Sequence, residues 1–440
     1  MSLIRELIEA PWWIGLFWGT GVLALATAVV SLFFALGRRP PAVQATATPP
    51  VDSPEFLSAA AGLVNGAPEQ GGTARLLNNG DEIFPSLLAD VRAAKRSVNW
   101  LAYIWEPGRC SDQVFAALIE RARAGVEVRL LLDGMGGIRC PGEGREALKE
   151  AGGKIGVFRP LRWGKLTRFH RRNHRRAIVV DGKVGFTGGA AVGDKWLGNA
   201  RTPEEWRDSM VRVTGCPARD LQSHFAEDWA SVTGEILVGE AFYPREEECT
   251  AGADARPLLR HTAVASSPGS EQHPMRYFFL LSFMAARRKL YVASPYFVPD
   301  EHTRNAVARL ATQGVDVRIL LPNAHTDAKP IRLASHSYYD ELLSAGVRIW
   351  EYQPTMMHSK FIVVDGCWSV VGSANMDIRS KELNEENALG ILDPGLAAAI
   401  ETTFQADLER SREIQLDEWR RRGVAQRVLE RLAVMFAEQF

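Results

Sequence analysis

The fold is decided by a string that occurs twice: residues 174–182 read HRRAIVVDG, and residues 358–366 read HSKFIVVDG. Other segments repeat in the same order around it: AGVEVRLLL at 124–132 as QGVDVRILL at 313–321, and AGGKI at 151–155 as AGVRI at 345–349. Self-similarity over such a distance indicates a duplicated unit. We therefore predict two similar halves, the first at residues 75–250 and the second at residues 251–408.

Each predicted half alternates helical stretches, such as 112–124 and 303–312, with short apolar runs rich in β-branched residues. This pattern is typical of βα units around a mostly parallel sheet that is buried on both faces. We expect an α/β fold in which each half is an α/β sandwich. Two copies favour a pair related by a pseudo-twofold axis rather than a solenoid. A site at the shared interface would then take equivalent residues from both halves.

The repeated string places a histidine two residues before a basic residue in each half. The pairs are His174 with Arg176 and His358 with Lys360. On a strand, residues i and i+2 point to the same face, so each imidazole should lie beside a cation. A single histidine on an apolar strand is most often a packed core residue, but duplication of the whole string favours a catalytic function.

The aspartate near the end of each string, Asp181 or Asp365, points away from the histidine because the two are seven residues apart. Glycine follows each of them, and an Asp-Gly pair favours a hairpin turn, so we interpret both aspartates as structural supports. Further along each half is a turn of small residues whose backbone N–H groups and short side chains can approach a phosphate oxygen. The predicted phosphate-binding residues of these turns are Gly188, Gly189, Ser373 and Asn375.

Two histidines beside fixed cations suit displacement at a phosphodiester. One imidazole can attack phosphorus while the other protonates the leaving alkoxide, and the cations stabilise the charged oxygens. A nucleophilic imidazole also needs its other nitrogen held by a carboxylate, for which the candidates are Asp208 and Glu386. The sequence has no HExxH motif, and a basic residue beside each histidine is a poor metal ligand. We therefore expect neither a metal nor a cofactor.

The composition narrows the class of protein. The 440 residues include 52 Lys and Arg and 52 Asp and Glu, so the formal net charge is zero. A hydrophobic fraction of 46 % excludes a disordered chain, and five cysteines without a CxxC pair do not suggest a disulfide scaffold or a zinc knuckle. Unpaired thiols fit a reducing compartment. The neutral balance argues against a protein that coats nucleic acid, so no nucleic-acid partner is expected.

Residues 10–37 carry no charge and include the paired tryptophans Trp12 and Trp13. This length is enough to span a bilayer, and tryptophans are typical of its interface. We predict a transmembrane helix at residues 11–37 and a Pro/Ala-rich linker at residues 38–74. A secretory signal is the competing interpretation. More arginine after the helix than before it predicts a single-pass protein of the cell membrane with its catalytic region in the cytoplasm.

Two further segments have a composition suited to lipid surfaces. Residues 159–176 hold eight basic and no acidic side chains, interleaved with apolar ones. They either meet anionic headgroups or form a solvated basic loop. The C-terminal segment at residues 409–440 carries an amphipathic helical stripe at Val424, Val428, Leu432 and Met435. It could lie on the bilayer, but we predict that it packs on the domain or on a second subunit; the oligomeric state itself is not predicted.

With these residues, the chain resembles the phospholipase D superfamily, and in particular the bacterial cardiolipin synthases, from about residue 76 to residue 392. The superfamily signature is HxKxxxxD followed by Gly-Ser and Asn, which residues 358–375 match in full. The resemblance implies metal-independent, ping-pong transfer of a phosphatidyl group through a phosphohistidine. It also implies membrane phospholipids as partners. One phosphatidylglycerol would donate the group and release glycerol, and a second would accept it to give cardiolipin.

Three residues depart from the family pattern: Arg176 where the family has lysine, Ala191 where it has asparagine, and Ala388 where many relatives have another asparagine. Arginine keeps the charge of lysine but not its geometry, so the first half-site is expected to differ in rate or specificity. The convention of relatives makes His174 the nucleophile and His358 the acid and base; the sequence itself leaves that order open. A phospholipase D that uses water as acceptor and a catalytically impaired lipid-binding homologue are the alternative functions.

Overall fold

The computed structural model describes residues 18–22, 25–27, 43, 45–160, 171–245, 259–267 and 273–435. The chain divides into two compact units, residues 1–44 and residues 45–440. In the first unit, the described residues 18–22 and 25–27 are helical. The rest of the membrane helix predicted at residues 11–37 lies outside the described residues. Within the described part of the chain, no helix combines the length and the apolar character that crossing a bilayer requires.

The second unit begins with two elements in a segment predicted to be a linker. Helix α1 (Pro54–Leu63) starts after Ser53, whose hydroxyl accepts the N–H of Phe56 at 3.1 Å. Strand β1 (Glu69–Gln70) pairs antiparallel with a strand of the larger sheet described below. Phe56 is fully buried in the core beside that sheet. The linker predicted at residues 38–74 is therefore too long, because its Pro- and Ala-rich composition conceals a capped, partly apolar helix.

The first sheet comprises seven strands among the described residues. Its elements, in chain order, are β2 (Thr73–Asn78), α2 (Asn79–Ala93), β3 (Ser97–Ala102), α3 (Arg109–Arg123), β4 (Glu127–Asp133), α4 (Gly142–Glu150), β5 (Lys154–Phe158), β6 (Ala177–Val180), β7 (Val184–Gly188), a 3₁₀ turn (Asp194–Trp196), β8 (Ser209–Thr214) and α5 (Cys216–Thr233). The strand order is β2-β8-β7-β6-β3-β4-β5. Strands β3, β4 and β5 are parallel, and the other neighbouring pairs are antiparallel.

The second sheet repeats this arrangement. Its elements are β9 (Arg260–Ser266), α6 (Pro274–Met284), β10 (Lys289–Ala293), β11 (Phe297–Val298), α7 (Glu301–Thr312), β12 (Asp316–Pro322), α8 (Lys329–His336), α9 (Tyr339–Ser344), β13 (Arg348–Tyr352), β14 (Phe361–Val364), β15 (Trp368–Gly372), β16 (Met376–Asp377), α10 (Ile378–Glu382), β17 (Glu386–Leu392), α11 (Pro394–Glu409) and β18 (Ser411–Glu413). The order is β1-β9-β17-β15-β14-β10-β12-β13-β18, and β11 pairs separately with β16. Strands β10, β12 and β13 are parallel, as are their counterparts in the first sheet.

The α/β class is confirmed, but the prediction of a mostly parallel sheet is wrong. The repeated string itself explains why. In each half, the Asp-Gly pair turns the chain through a tight hairpin, with a φ of 54° at Asp181 and 53° at Asp365. Strand β7 therefore runs antiparallel to β6, and β15 runs antiparallel to β14. Both sheets are mixed.

The two aspartates also join neighbouring segments. The Asp181 carboxylate accepts three backbone N–H groups at the start of β3, and the Asp365 carboxylate accepts three at the start of β10. The donors are Lys95, Arg96 and Ser97 for the first, and Arg287, Arg288 and Lys289 for the second. Each carboxylate thus fixes the strand that lies beside the one carrying the histidine string.

The two sheets share one apolar layer. Residues from both contribute to a single buried cluster, among them Leu101, Leu131, Phe225, Tyr291, Leu320, Phe361 and Phe404. Since burying a large apolar side chain contributes about 1.5–3 kcal/mol, this layer is a major source of stability. It also keeps the ends of the two sheets side by side.

The chain ends in α12 (Leu416–Arg420) and α13 (Val424–Val434). Helix α13 packs on the domain, as predicted, but through the face opposite to the predicted stripe. Glu430 faces inward and is buried. The stripe of Val424, Val428, Leu432 and Met435 is exposed. The burial of a charged residue could not be expected from the apolar pattern alone.

The prediction for the basic residues at 159–176, that they meet lipid headgroups or form a solvated loop, is also corrected in part. Residues 161–170 lie outside the described residues. Among the rest, Arg172 and Arg175 are buried and form ion pairs within the protein, 3.6 Å from Asp133 and 3.2 Å from Asp228, respectively. These two arginines do not face lipid headgroups.

Candidate active site

The two repeated histidines lie where the two sheets meet. The residue before His174 forms a β-bridge with Glu385, and the N–H of His174 donates to the Glu385 carbonyl at 2.9 Å. The equivalent bridge joins the residue before His358 to Arg207, whose carbonyl accepts the N–H of His358 at 2.7 Å. Each histidine is therefore held by a segment of the opposite half.

These bridges deliver a carboxylate to each imidazole. Nδ1 of His174 lies 2.8 Å and 3.0 Å from the carboxylate oxygens of Glu386, the first residue of β17. Nδ1 of His358 lies 2.7 Å from Asp208, just before β8. All four side chains are buried. An ionised carboxylate only accepts hydrogen bonds, so Nδ1 donates in both pairs and Nε2 keeps its lone pair for chemistry.

Arg176 and Lys360 lie beside these outer nitrogens in the same way. Nη1 of Arg176 is 3.2 Å from Nε2 of His174 and 3.0 Å from its carbonyl oxygen. Nζ of Lys360 is 3.1 Å from Nε2 of His358 and 2.9 Å from its carbonyl oxygen. Arginine thus reproduces the contacts of lysine. Its Nε and Nη2 have no hydrogen-bond partner among the described residues, which leaves donors for an anion.

Burial sets the charge of each pair. It lowers the pKa of His174 to about 4 and the pKa of His358 to about 3, and the neighbouring cations act in the same direction. Burial would raise the pKa of Glu386 and Asp208, but hydrogen bonds from the histidines and the nearby cations outweigh it, so both pKa values lie below their usual range. At neutral pH, each pair consists of a neutral imidazole and an ionised carboxylate.

Lys360 and Arg176 differ in whether they lose their charge near neutral pH. Burial lowers the pKa of Lys360 to about 7, with Asp208 opposing the shift and Arg176 adding to it. Burial also lowers the pKa of Arg176, but a guanidinium starts from 12.5 and stays charged at neutral pH. The second half therefore contains the titratable cation of the site.

The predicted small-residue turns lie directly behind the carboxylates. A Cβ atom on Gly189 would be 2.0 Å from Oδ1 of Asp208, and one on Gly188 would meet the backbone of β8 at 2.5 Å. In the second half, the hydroxyl of Ser373 donates to the Glu386 carboxylate. These contacts give the turns a positioning function, while their predicted contact with phosphate stays a prediction.

Asn375 and Ala191 occupy equivalent positions in the two repeats. Oδ1 of Asn375 is buried and has no hydrogen-bond partner among the described residues. Ala191 offers no such group. It lines a small, mostly apolar cavity of about 20 Å³ together with Arg176 and Tyr103.

Three side chains near the histidines were not predicted as site residues. The ring of Tyr103 packs edge-on against the first histidine with centroids 4.7 Å apart. The indole N–H of Trp196 donates to Asp208 at 2.9 Å. The side chain of Asn387 accepts the N–H of Arg176 at 2.9 Å and donates to its carbonyl at 3.1 Å. Asn387 directly follows a predicted carboxylate, which was an available signal; Tyr103 and Trp196 reach the site only through the tertiary fold.

Several known proteins are similar to this chain in sequence or in fold. A family model described as "Cardiolipin synthase, PLD-like domain" matches residues 87–229 and 280–408. Cardiolipin synthase 1 of Bacillus cereus is 34 % identical over 367 residues, which cover 81 % of this chain and 70 % of that protein. The probable cardiolipin synthase YwiE of Bacillus subtilis is 32 % identical over 365 residues, which cover 82 % and 71 %.

A solved structure supports the same fold. Phosphatidylserine synthase from Haemophilus influenzae superposes with a TM-score of 0.64, over 87 % of this chain and 98 % of that one, at 16 % identity. The mixed α/β fold and the sequence relatives together define a phosphatidyltransferase or phospholipase D-type enzyme. The chain belongs to the cardiolipin synthase, PLD-like domain family.

Proposed function

We propose that this phospholipid phosphatidyltransferase is a cardiolipin synthase, which transfers a phosphatidyl group from one phosphatidylglycerol to another and releases glycerol. One observation carries the proposal. Two neutral imidazoles each have Nδ1 held by a carboxylate of the opposite half, while Nε2 lies beside a cation. This arrangement suits covalent transfer of a phosphoryl group without a metal.

In the proposed first step, Nε2 of His174 attacks the phosphorus of phosphatidylglycerol. A P–N bond forms, the P–O bond to the glycerol headgroup breaks, and His358 gives its Nε2 proton to the departing glycerol oxygen. A bound phosphate brings negative charge close to His358, which raises its pKa and allows it to carry that proton. Arg176 and Lys360 stabilise the non-bridging oxygens.

In the proposed second step, the headgroup hydroxyl of another phosphatidylglycerol attacks the same phosphorus. His358 accepts the hydroxyl proton, a new P–O bond forms, and the P–N bond to His174 breaks. The products are cardiolipin and the free enzyme. Glu386 and Asp208 keep the Nδ1 protons throughout and orient the two rings.

The seven central strands of the second sheet follow the order of the first sheet, which supports two halves related by a pseudo-twofold axis around one shared site. The uncharged stretch at residues 10–37 supports a membrane anchor, with the catalytic unit on the cytoplasmic side. Membrane phospholipids and the bilayer are then the partners of this enzyme.

The test uses the full chain in mixed micelles with phosphatidylglycerol, without added metal, in water enriched in ¹⁸O. Mass spectrometry should detect cardiolipin and unlabelled glycerol in equal amounts. Phosphatidic acid carrying ¹⁸O and no cardiolipin would instead make water the acceptor and the protein a phospholipase D. A variant with both histidines changed to glutamine is the control, and its loss of both products would assign the turnover to this site.

The proposed mechanism predicts an alkaline limit on activity. We expect kcat/KM to fall as the pH rises through about 7, because Lys360 then loses the charge that stabilises phosphate. Lys360→Arg should move this limit to higher pH, since a guanidinium stays protonated. Arg176→Lys is the matched control and should not move the limit upward. A pH profile unchanged by Lys360→Arg would contradict the assignment of the limit to this lysine.

A further inference from the structure

Helix α13 has two contrasting faces. On its inward face, Ala433 and Val434 pack against an apolar cluster of α8 and β11, and Glu430 is buried. The outward face carries four apolar side chains at i, i+4, i+8 and i+11, which are Val424 (69 % exposed), Val428 (52 %), Leu432 (50 %) and Met435 (54 %). Scattered exposed apolar side chains are ordinary in soluble proteins, but a continuous stripe marks an interaction surface.

A buried ionic cluster determines which face points outward. The Glu430 carboxylate pairs with the guanidinium of Arg422 and lies 3.6 Å from Nδ1 of His336 in α8. Gln426 donates to the same carboxylate at 3.2 Å. Turning the helix over would expose Ala433 and Val434 and separate the Glu430 carboxylate from these partners. The apolar stripe is therefore held outward.

A chain of contacts links the inward face of α13 to the active site. Ile331 and Ala334 of α8 share the small apolar cluster with Val298, and Tyr296 packs against that cluster as α13 does. The Tyr296 ring centroid is 6.4 Å from that of His358. The helix is thus connected to one of the two histidines through this cluster and Tyr296.

The first half also exposes an apolar side chain, in the loop that corresponds to the connection between β12 and α8. Ile138, which is 63 % exposed, lies in the loop after β4, the strand that corresponds to β12 ahead of α8. Asp133, the last residue of β4, accepts the N–H of Asn173, the neighbour of His174, at 2.9 Å. Arg139 follows Ile138 directly.

We propose that the outward face of α13 is a membrane-docking surface that lies in the headgroup region of an anionic bilayer. Arg427 and Arg431 line one edge of the stripe, and both are exposed. An apolar face bordered by arginines is typical of a helix that lies parallel to a bilayer and binds anionic lipid. The inference rests on the proposed function for the lipid nature of the substrate, which must reach His358 from a membrane.

The test follows the depth of a probe on the full chain reconstituted in vesicles of phosphatidylcholine and phosphatidylglycerol. An environment-sensitive fluorophore is attached at Val428→Cys. The matched control is Gln313→Cys, an exposed site between α7 and the amino end of β12. Labelling of the unaltered chain gives the background from its own cysteines. We expect a blue-shifted emission at position 428 that nitroxide-bearing lipids quench several-fold more than emission at position 313.

Two results would overturn the proposal. A water-like emission at position 428 in vesicles would mean that the stripe stays in solvent. A blue-shifted emission without quenching by nitroxide lipids would mean that protein covers the stripe, either a second copy or another segment of this chain. Neither fluorescence measurement requires turnover. A failure of docking can therefore be distinguished from a failure of the proposed cardiolipin synthase activity.

A second variant links docking to the reaction. Val428→Glu combined with Leu432→Glu places charge on the outward face without touching the buried cluster around Glu430. We expect lower quenching of a probe at Met435→Cys and a several-fold loss of turnover on vesicles, with turnover in mixed micelles unchanged. Equal activity of this variant and the parent on anionic vesicles would contradict the docking function.

Discussion

Changing either His174 or His358 to alanine is expected to lower the rate of phosphatidyl transfer by about 10²–10⁴-fold, the range for loss of a general acid or base, and by at least as much for a nucleophile. Neither ring can replace the other. Their Nδ1 atoms are fixed by different carboxylates, Glu386 and Asp208, so each Nε2 has one position. Product formation from phosphatidylglycerol measures the loss.

Folding must be separated from catalysis in this experiment. Alanine would leave Glu386 or Asp208 buried without its partner, which costs about 3–5 kcal/mol. His174→Gln and His358→Gln fill the space and can still donate to the carboxylate, so we expect stable but inactive proteins. His302→Ala, at a half-buried position of α7, is the control and should keep the parent activity with at most a small change in melting temperature.

The same variants identify the nucleophile. Because His358→Gln lacks the acid that releases glycerol, the donor in this experiment is a phosphatidyl ester whose leaving group needs no proton, such as p-nitrophenol. With this donor, the phosphatidyl group should stay on His358→Gln after denaturation at neutral pH, which preserves the acid-labile P–N bond. Mass spectrometry should find it on the peptide that contains residue 174. His174→Gln should carry no label. A label on His358 in the His174→Gln variant would make His358 the nucleophile and His174 the acid and base. Normal transfer by either variant would refute a site shared by both histidines.

The alternation of helical stretches and apolar runs predicted the α/β class, and the duplicated string singled out the histidines and their cations. Neither pattern could show the exchange of carboxylates between the halves. Asp208 and Glu386 were found as downstream candidates, but their partners depend on two β-bridges between segments far apart in sequence. Only tertiary packing decides which imidazole each carboxylate meets.

The errors have equally specific causes. The mixed sheets were implied by the Asp-Gly turns at Asp181 and Asp365, since a two-residue hairpin joins antiparallel strands. The alternation of helical stretches with short apolar runs, taken alone, favoured parallel strands. The linker was overextended because α1 is short and buries only part of its surface. On α13, the buried ionic partners of Glu430 outweigh the apolar stripe in choosing the inward face.

Replacement of Arg176 by methionine is expected to lower transfer by about 10²–10³-fold, the usual loss when a donor to a developing oxyanion is removed. Methionine keeps much of the length of the side chain but none of its donors. The unpartnered Nε and Nη2 of Arg176 lie buried beside His174 and are available to phosphate oxygens. Arg176→Lys keeps the charge but loses these extra donors, so we expect a smaller loss of roughly tenfold, equivalent to about 1.4 kcal/mol.

Ala191 provides the matched test of this assignment. It lines the same small cavity as Arg176, and the equivalent residues in the second half are Lys360 and Asn375. Arg176→Lys combined with Ala191→Asn rebuilds that lysine and asparagine pair, and we expect it to recover most of the activity that Arg176→Lys loses. A double-mutant cycle on kcat/KM measures the coupling between the two positions. If Arg176→Lys alone were more active than the parent, the arginine would impair the first half-site, and a lipid-binding homologue of low activity would be the better description.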